Sequence, residues 1–337
     1  MSNEIRKDYI LDKWVIIATE RVKRPVDFKM EAQRINKQVV CPFCPGHEHM
    51  TPPAKKLYVL SGNKISIDHD KEGQKRRKDW LIRVIPNMYP ALKPGNYNST
   101  IMDNELKLPG IGEHEIIIET PEHNKQIHQM SDKEVELVFN VYRDRFSELI
   151  KKKFVRYVSI FRNHGNSAGA SLSHPHSQII ATPIIPPIIK EEVSRLNYSN
   201  GVCKYDYIIE QEKRSERFVY ENDSIIVFCP FASTTPFEVW IFVKQHKNNL
   251  SKLTNKELKD LAIATREILA AMFKLFSPLS YNYALWQTIS EEKYHLNLRI
   301  FPRISVRGGF EYNTDIIINP ISPENAAKHL RDALTDK

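Results

Sequence analysis

No stretch of the 337-residue chain approaches about 18 uninterrupted apolar residues, and the opening "MSNEIRKDYILDKW" has no apolar core of signal-peptide length. The first absence excludes a membrane-spanning helix, and the two together predict a cytoplasmic protein. Cysteine is scarce. Of four, Cys203 and Cys229 are isolated and only Cys41 and Cys44 pair as C-x-x-C. That count excludes a disulfide-stapled secreted scaffold, and in a reducing compartment the pair suggests a metal or redox site. Neither sign of charge dominates: 49 Lys and Arg stand against 41 Asp and Glu, a formal +8. So modest an excess suits a polyanionic small substrate as well as nucleic acid and selects neither. The one dense basic run, Lys75 to Lys78, has no interleaved aromatics and follows the polar "DHDKEGQ". It reads as a solvated loop. What is present is 41% apolar content on a chain long enough for two ordinary domains or one duplicated fold.

A repeat favours duplication. From Glu115 and from Glu238 the chain runs through a β-rich apolar stretch to a histidine, His123 or His246. Eight residues later comes a capping box, Ser131 with Glu134 or Thr254 with Glu257, opening an amphipathic helix of about twenty residues. The offset is the same at both points (246 − 123 and 254 − 131). Two copies of a strand-helix unit explain it. The pattern predicts an α+β fold of two related half-domains, each an antiparallel sheet with a long helix packed on it. They cross at the proline-rich "ATPIIPPIIKEE" of Ala181 to Glu192, giving a catalytic half over 1–185 and a degenerate half over 186–337. Carried on without a gap, the offset takes His174, His176 and Gln178 to Asn297, Arg299 and Phe301. The second copy is therefore expected to keep the scaffold and lose both histidines.

The stretch "SLSHPHSQII" carries the chemistry. On a strand, residues two apart face the same way, so His174, His176 and Gln178 form a polar row on one face. Before it, "FRNHGNSAGAS" is small and polar, and its Gly165, Gly169 and Ser171 would let backbone N–H groups approach a ligand closely, as phosphate sites require. "HPHSQ" after "GASLS", with "CPFC", "TPEH" ahead of the long helix and "KWVIIATERVKRP" near the N-terminus, resembles the galactose-1-phosphate uridylyltransferase family, a transferase branch of the histidine-triad superfamily. The likeness runs through nearly the whole chain in order.

The resemblance implies a double displacement in which His176 takes a nucleoside monophosphate from a nucleotide sugar and passes it to a second sugar phosphate. A neutral imidazole nitrogen is a competent nucleophile near neutral pH, and the other nitrogen must then donate to a fixed acceptor. Hydrolytic relatives carry a third histidine where Gln178 stands. An amide can hydrogen-bond a phosphate oxygen but shuttles no proton, which favours transfer over hydrolysis. The resemblance also implies a structural Cys2His2 zinc site of Cys41, Cys44, His123 and His174, with no open position. It puts Arg21, Arg24, Asn163 and Ser171 near the phosphates, Asn87 and Tyr89 near the nucleoside, and Phe310 and Glu311 near the hexose, often across a homodimer.

Some members hold iron through Glu and a His-x-His in the second half. Here Glu192 fits the acidic position, but Asn297 and Arg299 replace the histidines, so no second metal site is expected. The leading expectation is UMP transfer from UDP-glucose to a hexose 1-phosphate such as galactose 1-phosphate. The alternative is phosphorolysis of ADP-glucose through the same intermediate, and the tail from Gly308 onward resembles the branch containing the plant ADP-glucose phosphorylase. A zinc-dependent nucleic-acid binder is the reading from another class; it lacks a compact ligand cluster and a basic helix, and leaves "HPHSQ" without a purpose. No nucleic-acid or membrane partner is expected.

Overall fold

The computed structural model describes residues 3–23, 40–95, 107–196 and 203–336. Its strands in chain order are β1 (Glu4–Lys7), β2 (Trp14–Ile17), β3 (Lys56–Ser61), β4 (Lys64–Asp68), β5 (Trp80–Pro86), β6 (Glu113–Ile118), β7 (Tyr157–His164) and β8 (His176–Thr182), then β9 (Phe218–Glu221), β10 (Ile225–Phe228), β11 (Val239–Val243), β12 (Tyr281–Trp286), β13 (Asn297–Pro302) and β14 (Ile317–Asn319). The helices are α1 (Asp132–Leu149), α2 (Pro187–Arg195), α3 (Lys204–Lys213), α4 (Asn255–Leu275), α5 (Gly309–Thr314) and α6 (Pro323–Thr335). Among the described residues no helix is long and apolar enough to cross a membrane.

Eleven strands form one sheet in the order β4-β3-β5-β6-β8-β7-β12-β13-β11-β10-β9, and every pair in it is antiparallel. The order is a near-mirror about the β7–β12 seam, where Phe161 faces Ala284. Those two residues are equivalent at the offset of 123 (284 − 161), so a pseudo-two-fold axis passes between them. The α+β expectation and the two related halves are what the chain forms, as one continuous sheet. A small second sheet joins β1 and β2 to β14, tying the N-terminal segment to the C-terminal one.

Both capping boxes form. Ser131 Oγ accepts from Glu134 N–H and Thr254 Oγ1 from Glu257 N–H, and each glutamate returns a bond to its cap backbone. From there apolar residues recur at helical spacing, Val135, Val138, Phe139, Tyr142, Phe146 and Leu149 on α1, and Leu258, Leu261, Ala262, Ile268, Leu269 and Met272 on α4. The two helices lie against each other over one face of the sheet, enclosing the main core.

The opposite face differs between the halves. In the second half, α2, α3 and the N-terminal Ile10 bury Phe228, Trp240 and Phe242. In the first half a smaller cluster under the C-x-x-C segment, including Phe43, Leu57, Trp80, Ile85 and Ile118, packs on it among the described residues. Among the described residues the same sheet face thus carries the larger apolar cluster in the second copy and the smaller one in the first.

Candidate active site and metal cluster

His176 opens β8 on that less covered face. Its Nδ1 lies 2.8 Å from the His174 carbonyl oxygen, which can only accept, so Nδ1 carries the proton and Nε2 keeps its lone pair. The residue is 6% exposed, and burial pushes its pKa below the ordinary imidazole value. Neutral, with one nitrogen fixed as donor, His176 meets the requirements of a nucleophile at phosphorus. Phe43, from inside C-P-F-C, meets the His176 ring edge-on with centroids 5.4 Å apart.

Ser177 points to the other face, into a buried network. Its hydroxyl donates to Glu119, which also receives Arg162 Nε at 3.0 Å and the Tyr142 hydroxyl at 3.1 Å. Tyr142 reaches Tyr283 at 2.7 Å, and Arg162 reaches Tyr281 at 2.5 Å, so the support behind His176 crosses both halves.

Gln178 lies two residues on. Its Oε1 is 2.8 Å from His114 Nε2, and Asn87 Nδ2 is 3.1 Å from the same nitrogen. Neither contact to His114 was read from the sequence. The only signal was its place in β6: Ile116 pairs with Gln178, which sets His114 one step along the same sheet face.

The Cys41, Cys44, His123 and His174 donors all lie within 4.8 Å of one another. Cys44 Sγ is 3.2 Å from His123 Nδ1 and 3.6 Å from His174 Nδ1, and Cys41 Sγ is 3.8 Å from His174 Nδ1. Tetrahedral zinc with Zn–S of ~2.3 Å and Zn–N of ~2.0 Å has S···N edges of about 3.5 Å, so the spacing fits that ion. The protonation pattern fits as well. His174 Nε2 donates to Thr120 O at 2.8 Å and burial holds its pKa down to about 4, leaving Nδ1 as a free lone pair. His123 Nε2 sits 3.0 Å from Ser173 Oγ, so its Nδ1 also faces the sulfurs. Burial and the adjacent Cys41 push the Cys44 thiol up to about 11, a cost that a cation among the four would remove.

The registers correct the gap-free comparison of the two halves. Phe161 pairs with Gln178 and Ala284 with Arg299, so 17 residues separate the first pair and 15 the second (178 − 161, 299 − 284). The second copy is two residues shorter in that loop. His174 therefore corresponds to His295, His176 to Asn297 and Gln178 to Arg299. The bonds agree: His295 Nε2 lies 2.7 Å from Val243 O as His174 Nε2 does from Thr120 O, and Asn297 Nδ2 donates to His295 O at 2.9 Å. The second half keeps one of the two histidines.

It also gathers a second donor group, which the sequence comparison missed. Cys203, Asp206 and His246 bring their ligand atoms within 4.8 Å of one another, and His295 Nδ1 is 3.0 Å from Asp206 Oδ1. C-x-x-D at 203–206 has the spacing of C-x-x-C, and that was the available signal. Both imidazoles bond backbone carbonyls through Nε2 and turn Nδ1 to one carboxylate oxygen, which requires a proton or a cation between them. Glu192, by contrast, is spent. Arg299 Nη2 lies 2.9 Å from its carboxylate, which also accepts from Tyr205 at 2.9 Å and Tyr294 at 2.5 Å.

Of the other expected contacts, Asn163 sits on the seam, its Oδ1 accepting from Asn282 at 2.8 Å, and Ser171 is exposed in the loop before β8. The turn that positions this loop needs glycine: Gly165 has φ +82°, and a Cβ there would lie 2.1 Å from Ser280 Oγ. Tyr89 is 85% exposed, with its N–H held by Asn87 Oδ1 at 2.8 Å. Arg21 lies in the short turn Thr19–Lys23, and Arg24 falls outside the described residues. Phe310 and Glu311 stand on α5 in the second half, where Glu311 caps its own helix by accepting from Gly308 N–H at 2.9 Å. Among the described residues no hydrogen bond or ion pair joins either of them to β8.

Comparison with known proteins gives this arrangement its relatives. Residues 1–186 match the model of the galactose-1-phosphate uridyl transferase N-terminal domain, and residues 112–337 match a domain of unknown function. ADP-glucose phosphorylase of Arabidopsis thaliana is 34% identical over 98% of this chain and 93% of its own. Galactose-1-phosphate uridylyltransferase of Thermotoga maritima is 28% identical over 98% of both. A crystal structure of an Arabidopsis thaliana ADP-glucose phosphorylase with bound ADP-glucose superposes with a TM-score of 0.79 at 29% identity, covering 98% of this chain and 99% of that one. On the matched domain and the full-length relatives, the chain belongs to the galactose-1-phosphate uridyl transferase family.

Proposed function

We propose that the protein is a nucleotidyltransferase acting on a nucleotide sugar, with His176 as the nucleophile. The observation that carries this is the Nδ1–H to His174 carbonyl bond, which leaves a neutral Nε2 lone pair on the less covered face of the sheet. That nitrogen attacks the α-phosphorus and expels the sugar phosphate, which leaves without protonation because its second pKa lies near 6. An acceptor phosphate then attacks the nucleotidyl-histidine and regenerates the imidazole. Gln178 donates to a non-bridging oxygen as charge builds there. Asn163, Ser171, Arg21 and Arg24 serve the phosphates, Asn87 and Tyr89 the nucleoside. Cys41, Cys44, His123 and His174 would hold a zinc ion with no position left open, so it would supply structural cross-linking, while Phe43, between the two cysteines, packs edge-on against His176.

Adenylyl transfer from ADP-glucose to inorganic phosphate is the first assignment, supported by 34% identity to a phosphorylase over nearly the full length. Uridylyl transfer between UDP-glucose and galactose 1-phosphate, the leading expectation from sequence, is the second, supported by the Thermotoga maritima relative. The test crosses ADP-glucose and UDP-glucose with phosphate, glucose 1-phosphate and galactose 1-phosphate. Phosphate-dependent ADP formation from ADP-glucose supports the first, and UDP-galactose formation the second. Turnover of neither nucleotide sugar overturns both. Hexose contacts from Phe310 and Glu311 belong to the same proposal, reaching a partner subunit's site in a homodimer, and sedimentation of the protein checks that state.

A further inference from the structure

His114 occupies a position that neither the metal cluster nor the nucleophile accounts for. It lies on β6 beside β8, and three groups from two segments converge on its ring. The Ala91 backbone N–H points at Nδ1 from 3.0 Å. Gln178 Oε1 and Asn87 Nδ2 lie 2.8 Å and 3.1 Å from Nε2. The His114 main-chain carbonyl also accepts Asn87 N–H at 2.9 Å, so this strand residue holds the start of the 87–91 segment by backbone and its end by side chain.

A backbone N–H has no choice of role. Ala91 can only donate, so Nδ1 must be the bare nitrogen, and the neutral ring carries its proton on Nε2. That proton goes to Gln178 at 2.8 Å, which requires the amide oxygen there and leaves the NH2 turned away from His114. The reverse amide would set two donors against each other. The Asn87 NH2, 3.1 Å from the protonated Nε2, faces a donor there and makes no bond to it. Its Oδ1 is committed to Tyr89 N–H at 2.8 Å, so its NH2 retains donor capacity for a ligand.

We infer that His114 is a positioning residue for Gln178: by accepting from Ala91 N–H it fixes its own tautomer, and by donating to Oε1 it presents the Gln178 NH2 as the donor to the transferring phosphoryl group. The inference rests on the nucleotidyl-transfer reading and adds the group that orients its only side-chain amide on the reactive strand. It also couples the 87–91 segment to the phosphoryl site through one ring.

Two substitutions separate the two bonds. His114→Asn keeps an acceptor for Ala91 N–H but is too short to reach Gln178, whereas His114→Gln extends an amide donor to Gln178. With whichever of ADP-glucose or UDP-glucose labels the full-length protein, the single-turnover rate of nucleotidyl-enzyme formation is measured for these variants, for Gln178→Ala and for His114→Asn/Gln178→Ala. His114→Asn is expected to slow it about tenfold, His114→Gln to restore it to within about threefold of wild type, and the double variant to be no slower than Gln178→Ala alone, because His114 acts through that amide. A wild-type rate for His114→Asn, or slowing that adds to the Gln178→Ala loss, overturns the inference. Thermal midpoints of each variant identify any that fail to fold, and His114→Gln then carries the test. Imidazole nitrogen NMR of the wild-type protein reads the tautomer without any turnover. Protonation at Nε2 is expected, and protonation at Nδ1 overturns the inference even if no nucleotide sugar labels the enzyme. Failure of the wild type to be labelled is instead a failure of the functional reading.

Discussion

At the scale of single residues, the site is a chain of assigned protons. The His174 carbonyl fixes the His176 tautomer and the Ala91 N–H fixes that of His114, so two neutral imidazoles hold opposite nitrogens protonated on one sheet face. His176→Ala is expected to abolish transfer, and His176→Gly to regain activity with nucleotidyl-imidazole as donor, both read by product formation. Behind His176, Glu119 is the only carboxylate that Arg162 bonds among the described residues, and both are buried. Glu119→Leu leaves that guanidinium unpaired and should cost about 3 kcal/mol of stability by denaturant titration, more than the ~1 kcal/mol of an ordinary hydrogen bond. The polar row His174, His176, Gln178 was legible in the sequence because strand geometry alone aligns residues two apart. His114 was not, since its partner lies 64 positions away and "GEHEIII" reads as an ordinary half-buried strand.

At the scale of elements, the repeat in the sequence marks the helices and their caps well and the loops poorly. Ser131 and Thr254 cap as their spacing predicts, because a capping box is a local device that needs four residues and no tertiary partner. Ser131→Ala and Thr254→Ala should each cost ~1 kcal/mol, read as a shift in thermal or denaturant midpoint. The comparison failed in the loop before β13, where two residues are missing, and there a fixed offset moved every later equivalence by one strand repeat. A strand shifted by two keeps its faces, so apolar alternation gave no warning. The four-donor cluster joins elements far apart: the C-x-x-C turn, the segment before α1 and the loop just before β8. Cys44→Ala should lose zinc measured by atomic emission and lower the thermal midpoint, with transfer impaired through the Phe43 contact rather than lost as with His176→Ala.

For the whole molecule, the single sheet argues that the two halves stabilise each other. The β7–β12 seam, the Tyr142–Tyr283 bond and the return of β1 and β2 to β14 all cross between them. A chain cut within Pro183–Pro186, at the proposed boundary, is expected to yield fragments that remain associated in size-exclusion chromatography; free fragments would show the seam to be weak. Stability should also fall with acid. His128 stacks on Phe273 with centroids 3.8 Å apart, and burial lowers its pKa to about 4; burial and then Arg162 lower that of His164 to about 3. Unfolded, both titrate at ~6.5, so the folded state binds fewer protons below that pH, and its stability drops as pH falls from about 7 towards 4. The thermal midpoint measured across that range should decline, less steeply in His128→Leu.

The covalent step itself is the most direct thing to measure. Wild-type protein incubated with ADP-glucose, and separately with UDP-glucose, without an acceptor, is analysed by intact and peptide mass spectrometry. The account predicts a nucleoside monophosphate adduct on His176 that phosphate or a hexose 1-phosphate discharges, and that is absent from His176→Ala. An adduct on another residue, or transfer that proceeds at the wild-type rate in His176→Ala, would contradict it.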